Sequence, residues 1–233
     1  MEFFEALETR RSVRKFLDID VPDSVIENAL DAAIKAPNSS NIQPWEFYWI
    51  KNKSIKDRLV EACFSQSAAR TSKHLIFAVC RIDTWKRNRN ILLEQLDSQG
   101  KVPNGVLNYY NKVVPSSYVQ GPMNVLYLIK KPLTMISGLF RPTPRAPGTR
   151  AELFSVASKT TALACQNLML SLVAQGYDSC PMEGYDEKRV KKILKLNRKT
   201  QVVMAIAIGK RNDKGVYGKQ FRVPKELVIH KIE

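Results

Sequence analysis

The sequence predicts an α+β fold, with helices packed around a central sheet, and three observations carry that reading. Apolar residues recur at helical spacing in segments beginning near residues 22, 54, 85, 149 and 187. Trp45 to Ile50, Leu75 to Ile82 and Gln201 to Gly209 are short apolar runs of strand length. Across 233 residues, 44% hydrophobic and 25% charged side chains is ordinary globular composition, and no repeat or low-complexity linker divides the chain, so residues 1–233 are expected to form one domain.

Charge and cysteine usage narrow the classes of function. Lys plus Arg 37 against Asp plus Glu 22 gives +15, which steers anions toward the surface; nucleic acid, acidic membrane and phosphorylated cofactors all qualify as partners. Cys63, Cys80, Cys165 and Cys180 lie far apart without a CxxC, and only His74 and His230 could join them, so neither a metal site nor a disulfide framework is expected. The acids in MEFFEALETRRS leave no signal-peptide core, which makes a reducing cytoplasm the expected location. Val125 to Ile129 is cut off by Lys130-Lys131-Pro132, far short of the roughly 20 apolar residues of a membrane span.

Taken in order, a short apolar-periodic segment (Phe3, Phe4, Leu7) leads into Thr9-Arg10-Arg11-Ser12-Val13-Arg14, where three guanidiniums and two hydroxyls fall in six residues. Planar guanidinium forks and a hydroxyl suit phosphate or carboxylate. In extended chain Arg10, Ser12 and Arg14 share one side while Arg11 and Val13 take the other. The competing reading is a solvated, basic helix end.

Val21-Pro22-Asp23-Ser24 opens a helix with Val25, Ala29, Leu30, Ala33 and Ile34 inward, and Pro37 stops it. Residues 36–45 are turn formers and small amides able to hydrogen-bond a ring edge or a phosphate, or simply their own backbone. Ser54 with Asp57 is expected to cap the next helix, carrying Ile55, Leu59, Val60 and Cys63 inward. WKRNRNILLEQLDSQG is helical to its Gly, and residues 101–118 are less readable, with Tyr109, Tyr110 and Tyr118 open to either surface packing or a lid.

KKPLTMISGLFRPTPRAPG, residues 130–148, reads as a Pro-rich irregular excursion covering a site. Met135, Leu139 and Phe140 among Lys130, Lys131, Arg141 and Arg145 would also suit shallow membrane contact, a reading disfavoured because the prolines deny a continuous amphipathic helix. Thr149-Arg150-Ala151-Glu152 is a capping box launching a long helix to Gly176, whose Ala157, Ser158, Thr161, Ala162, Ala164 and Cys165 admit a close neighbour. Tyr177 to Tyr185 is expected as a turn; Asp186 caps the basic helix EKRVKKILKL, and a loop with Gly215 and Gly218 leads to an extended tail.

Four motifs in this order, RRSVRKF at 10–16, APNSSNIQPWEF at 36–47, PMEGY at 181–185 and the basic KQFRVP at 219–224, together resemble the FMN-dependent nitroreductase family. The resemblance implies a mixed central sheet flanked by helices and a homodimer with FMN at the subunit interface. By the same resemblance Arg10, Ser12 and Arg222, helped by Lys219, would hold the FMN phosphate, Arg11 would contribute through its backbone, and Arg14 would face the pyrimidine side. Pro37, Asn38, Ser39, Asn41 and Gln43 would come from the partner subunit. The turn Pro181, Met182, Glu183, Gly184 would offer backbone N–H groups near flavin N5, leaving Arg14, Glu183 and Gly184 to tune a flavin that does the chemistry itself.

The implied reaction passes hydride from NAD(P)H to a small acceptor, a nitroaromatic, quinone or enone, by ping-pong exchange. Family members often carry an Asn and a Lys before the second core strand; residues 64–70 here offer only Gln66 and Arg70, at different spacing. A non-catalytic flavin-binding sensor and a basic polyanion binder are the alternatives; the second would need a nucleic-acid module that the sequence lacks.

Overall fold

A computed structural model of the chain describes residues 1–119, 121, 125–144 and 147–233, with Tyr127 described in its backbone only. Arg145, part of the expected excursion, lies outside the described residues. Four strands, β1 (Trp45–Trp49), β2 (His74–Arg81), β3 (Asp178–Met182) and β4 (Thr200–Gly209), form one sheet in the order β1-β2-β4-β3. All three strand pairings are antiparallel, and a parallel bridge between Ser12 and Ser179 adds the N-terminal segment beside β3.

Alternation along the strands feeds a separate core on each side of the sheet. After the short α1 (Phe3–Thr9), Ile76, Ala78, Ile206 and Ile208 face α2 (Asp23–Ile34) and the long α9 (Arg150–Ala174). Leu75, Phe77, Val79, Ala205 and Ala207 face α3 (Lys53–Ala62), α4 (Ser67–Thr71) and α10 (Glu187–Ile193). Each fully buried Leu, Ile or Phe contributes about 1.5–3 kcal/mol. The register slips between Ala78 and Val79, opposite Met204 and Val202, and this bulge lets Val202 and Ala205 face the same core.

Helix ends follow local chemistry. Thr149 accepts from Glu152 N while the Glu152 carboxylate accepts from Thr149 N, the reciprocal box expected from sequence. Asp186 caps α10 through Arg189 N. The cap of α3 is Asn52, whose side chain accepts from Ile55 N, rather than Ser54, because the helix starts two residues earlier.

Two expectations need correction. Residues 178–182 are a strand rather than part of a turn; Pro181 is compatible with pairing because β3 is an edge strand. The span 130–148 is not wholly irregular: α8 (Val125–Phe140) runs through Pro132. The missing Pro132 N–H leaves only the Leu128 carbonyl without its helical donor, and Leu128 lies on the exposed side where water can replace it. Between α5 (Trp85–Ser98) and α8, residues that sequence left unread form α6 (Asn104–Asn108), a π-turn at Tyr109–Val113 and α7 (Val114–Tyr118).

Candidate functional site

The N-terminal arginine cluster is stitched to the C-terminal end of the domain. Val13 N donates to Ser179 O at 3.0 Å, Arg14 N to Gly215 O at 2.7 Å, and Leu17 N to Lys210 O at 2.8 Å. Arg11 Nη2 reaches Gly218 O at 2.9 Å. Arg211 closes the back, its guanidinium on Asp178 and on Thr9 O. Gly215 has to be glycine here: a Cβ would sit 2.5 Å from Lys15 O and 2.8 Å from Asn212 O.

These ties gather like charges. Burial, with Arg222 and Arg11 close by, lowers the Arg10 pKa, so Arg10 is partly desolvated and held against two other guanidiniums. Sequence neighbours explain Arg11 beside Arg10, but Arg222 arrives from the far end of the chain. Arg14 lies over the ring of Tyr217, 5.0 Å from its centroid. Ser12 bridges to Ser179, whose fully buried Oγ has no hydrogen-bond partner among the described residues. Lys219 is exposed on the same C-terminal loop.

The turn after β3 lies beside this cluster, since β3 carries both Ser179 and Pro181. Gln66 Nε2 donates to Gly184 O at 2.6 Å, and a Cβ on residue 184 would stand 3.1 Å from that nitrogen. Tyr185 OH donates to Val202 O and Asp186 N to Ala62 O, fixing the far side of the turn. Met182 points into the core, so only its main chain can face a ligand, whereas Glu183 is exposed. Gln66 therefore joins the turn, while Arg70 lines a separate cationic cleft with Lys56 and Lys73.

The amide loop is elsewhere. It precedes β1, the opposite edge of the sheet from β3, so three strand spacings of about 4.8 Å put roughly 14 Å between the edges. Asn38 Oδ1 accepts from Gln43 N at 2.8 Å, and Asn41 Oδ1 from Gln43 Nε2 at 3.3 Å. Ser40, Asn41 and Gln43 all have positive φ, 56°, 49° and 50°. Asn88 Nδ2 holds the carbonyls of Ile42 and Gln43; Ser40 meets Tyr109 OH at 2.6 Å, and Tyr110 OH donates to Ser40 O. Pro37, Ser39, Asn41 and Gln43 are exposed, and Asn41, Gln43 and Trp45 line a cleft of about 470 Å³.

One chain thus brings Arg10, Arg11, Ser12, Arg14, Arg222 and residues 181–184 to one sheet edge and leaves residues 37–43 at the other. Sequence reading names Gly215 only as a loop glycine and does not single out Ser179 or Tyr217; these act through main-chain ties and ring contact that no local motif signals, and the bracing of the amide loop by Tyr109 and Tyr110 is likewise missed.

Comparison with known proteins converges on one group. The nitroreductase family model matches residues 7–210. Protein DrgA of Synechocystis sp. is 27% identical over 233 residues, covering 100% of this chain and 95% of that protein. A Bacillus subtilis protein named as an NAD(P)H nitroreductase, YdgI, is 26% identical over 230 residues, covering 97% and 96%. A structure described as a nitroreductase in complex with FMN, from Exiguobacterium sibiricum, superposes with a TM-score of 0.66 at 22% identity, covering 99% and 98%.

Proposed function

The chain belongs to the nitroreductase family, and on that premise we propose that it is an NAD(P)H-dependent FMN oxidoreductase. It acts as a homodimer whose two flavin sites each draw on both subunits, with residues 1–233 as one domain. The name of the Bacillus relative and the FMN complex of the Exiguobacterium neighbour support the co-substrate and cofactor.

The residues fit an FMN phosphate. Arg10, lowered in pKa by burial and by Arg222 and Arg11, is the observation that carries the reading: held-together cations are relieved by a dianion. Ser12 and Lys219 complete the donor set, and Ser179, whose buried Oγ has no partner among the described residues, bridges to Ser12 through the main chain. When bound, FMN supplies a carrier that takes hydride from NAD(P)H and yields it to an acceptor.

The chain's own residues bind and bias. Arg14, steadied over Tyr217, would set a positive charge at the pyrimidine side of a bound flavin and so favour its reduced, anionic form. Gln66 on Gly184 O fixes the turn, whose main-chain amides at Glu183 and Gly184 would donate to the ring, leaving the Glu183 carboxylate free of any acid–base duty. Pro37, Asn38, Ser39, Asn41 and Gln43 would line the ring from the partner subunit. Nicotinamide and acceptor occupy one place in turn, a ping-pong order, and nitroaromatics, quinones and enones are the acceptor classes. Solvent supplies the proton.

Purified protein should be yellow, with a flavin absorbance band bleached by NADH or NADPH without oxygen and restored by a quinone. A colourless protein that takes up no added FMN refutes the reading; a yellow protein that neither nucleotide bleaches would make it a sensor.

A further inference from the structure

A chain of hydrogen bonds in the turn after β3 begins at Gln66 and ends at an unused main-chain donor. Gln66 Nε2 donates to Gly184 O at 2.6 Å. The other end of that peptide is also held, Tyr185 N donating to Glu183 O at 3.1 Å across a γ-turn. In a trans peptide the C=O and N–H point in opposite directions, so a Glu183 O bound inside the turn sends Gly184 N–H outward. Among the described residues nothing accepts from Gly184 N, whereas Tyr185 N and Asp186 N are both taken, by Glu183 O and Ala62 O.

The segment between α3 and α4 aims Gln66 at this turn. Phe64 and Ser65 hold left-handed φ of 56° and 49°. Phe64 N donates to Glu61 O at 2.9 Å and Ser65 N to Val60 O at 3.0 Å, the Schellman closure of a helix, in which the position of Phe64 is usually glycine. A phenylalanine there is strained, and its ring gains little in return, being 67% exposed. What the reversal does achieve is a double grip: it brings Ala62 O to Asp186 N at 2.8 Å and the Gln66 amide to Gly184 O.

We propose that Gln66 is a positioning residue for hydride transfer, which through the peptides Gly184–Tyr185 and Glu183–Gly184 aims Gly184 N–H at flavin N5. The inference rests on the flavin reading above and selects Gly184 over Glu183 as the donor to that atom. Aim contributes more than polarisation, since hydrogen bonds in series strengthen one another by only about 10–30% each, whereas a donor turned away contributes nothing.

The test is competition for the full-length protein between FMN and 5-deaza-FMN, which carries C–H in place of N5 and cannot accept this bond. The parent should prefer FMN by roughly 2- to 10-fold, the worth of one net neutral hydrogen bond. Gln66→Met keeps the length of the side chain without its donor; it should lose most of that preference, while 5-deaza-FMN affinity changes by less than about twofold. Equal losses for both flavins would make Gln66 only a support of the turn, and an unchanged preference would remove it from the chain of bonds; either result overturns the proposal. A second measurement needs no substitution and so does not depend on the variant folding. In the parent, Gly184 N–H should exchange with deuterium at least about twofold more slowly with FMN bound than with 5-deaza-FMN. Protection of Glu183 N–H in its place overturns the proposal and leaves the flavin reading intact, whereas a parent that binds neither flavin overturns both.

Discussion

The cationic cluster beside β3 and the amide loop before β1 lie at opposite edges of the same sheet and are built on opposite plans. The cluster is assembled over long range, from Arg10 to Arg14 and from Gly215 to Arg222, and what it stores is electrostatic: guanidiniums kept close and partly desolvated. The loop is assembled over a few residues, by Asn38 and Asn41 side chains bonding Gln43, and what it stores is conformational. Three consecutive-range non-glycine residues in left-handed backbone cost on the order of 1 kcal/mol each. Each edge thus holds an unfavourable arrangement, and on the proposed function the pocket would be completed by one edge from each chain. The difference teaches that the two halves can be broken separately and recombined.

The largest effect should come from the electrostatic half. Arg10→Ala removes a charged donor worth about 1.5–3 kcal/mol, so FMN should bind roughly 10- to 100-fold more weakly in a fluorescence titration. Arg222→Ala should follow in the same direction. Recombination is sharper: Arg10→Ala mixed with Asn38→Ala under exchanging conditions should recover tight FMN binding in about a quarter of sites, as expected when half the dimers are mixed and each has one intact pocket. No recovery would place the two edges in separate sites.

Within the cationic half, Arg14→Ala should slow hydride transfer about tenfold in stopped flow while FMN affinity changes less than about threefold. Equal losses in both would show that Arg14 only holds the cofactor. Smallest for the comparison is a change outside both halves. Thr149→Ala removes the cap of α9 and should cost about 1 kcal/mol in urea unfolding, with flavin affinity untouched. That box also has a pH signature. Main-chain donors Gly148 and Thr149 hold the Glu152 carboxyl below its usual pKa. Its contribution is complete above the ordinary carboxylate value and is lost as pH falls through the lowered one, so Glu152→Gln should flatten the acid side of the stability curve.

Sequence made the sheet's central strands and the two-sided core legible, because Leu75 to Arg81 and Val202 to Gly209 are apolar runs and the α2 and α9 patterns are helical. It also exposed the arginine cluster and the amide loop, whose compositions are local. It hid β3, since a five-residue strand containing Pro181 looks like a turn until its edge position is known. It hid the helical character of residues 125–140 for a similar reason: one proline outweighs periodicity in a linear reading, whereas in three dimensions it costs a single solvated carbonyl. The partnership of Arg10 with Arg222 is expected from the family resemblance alone, and the role of Gly215 is not expected at all; both depend on chain crossings separated by some two hundred residues, which no window of sequence contains.

The buried cysteines carry a last consequence. Reduced flavins react with oxygen, and an enzyme of this kind would make hydrogen peroxide beside its own thiols. Only thiolates react quickly with that oxidant. Burial raises all four thiols, Cys63 to about 11 and Cys165 to about 12, and Cys180 stays raised even with Arg14 nearby to favour its anion. Four buried thiols held in the protonated form would be slow targets for that peroxide.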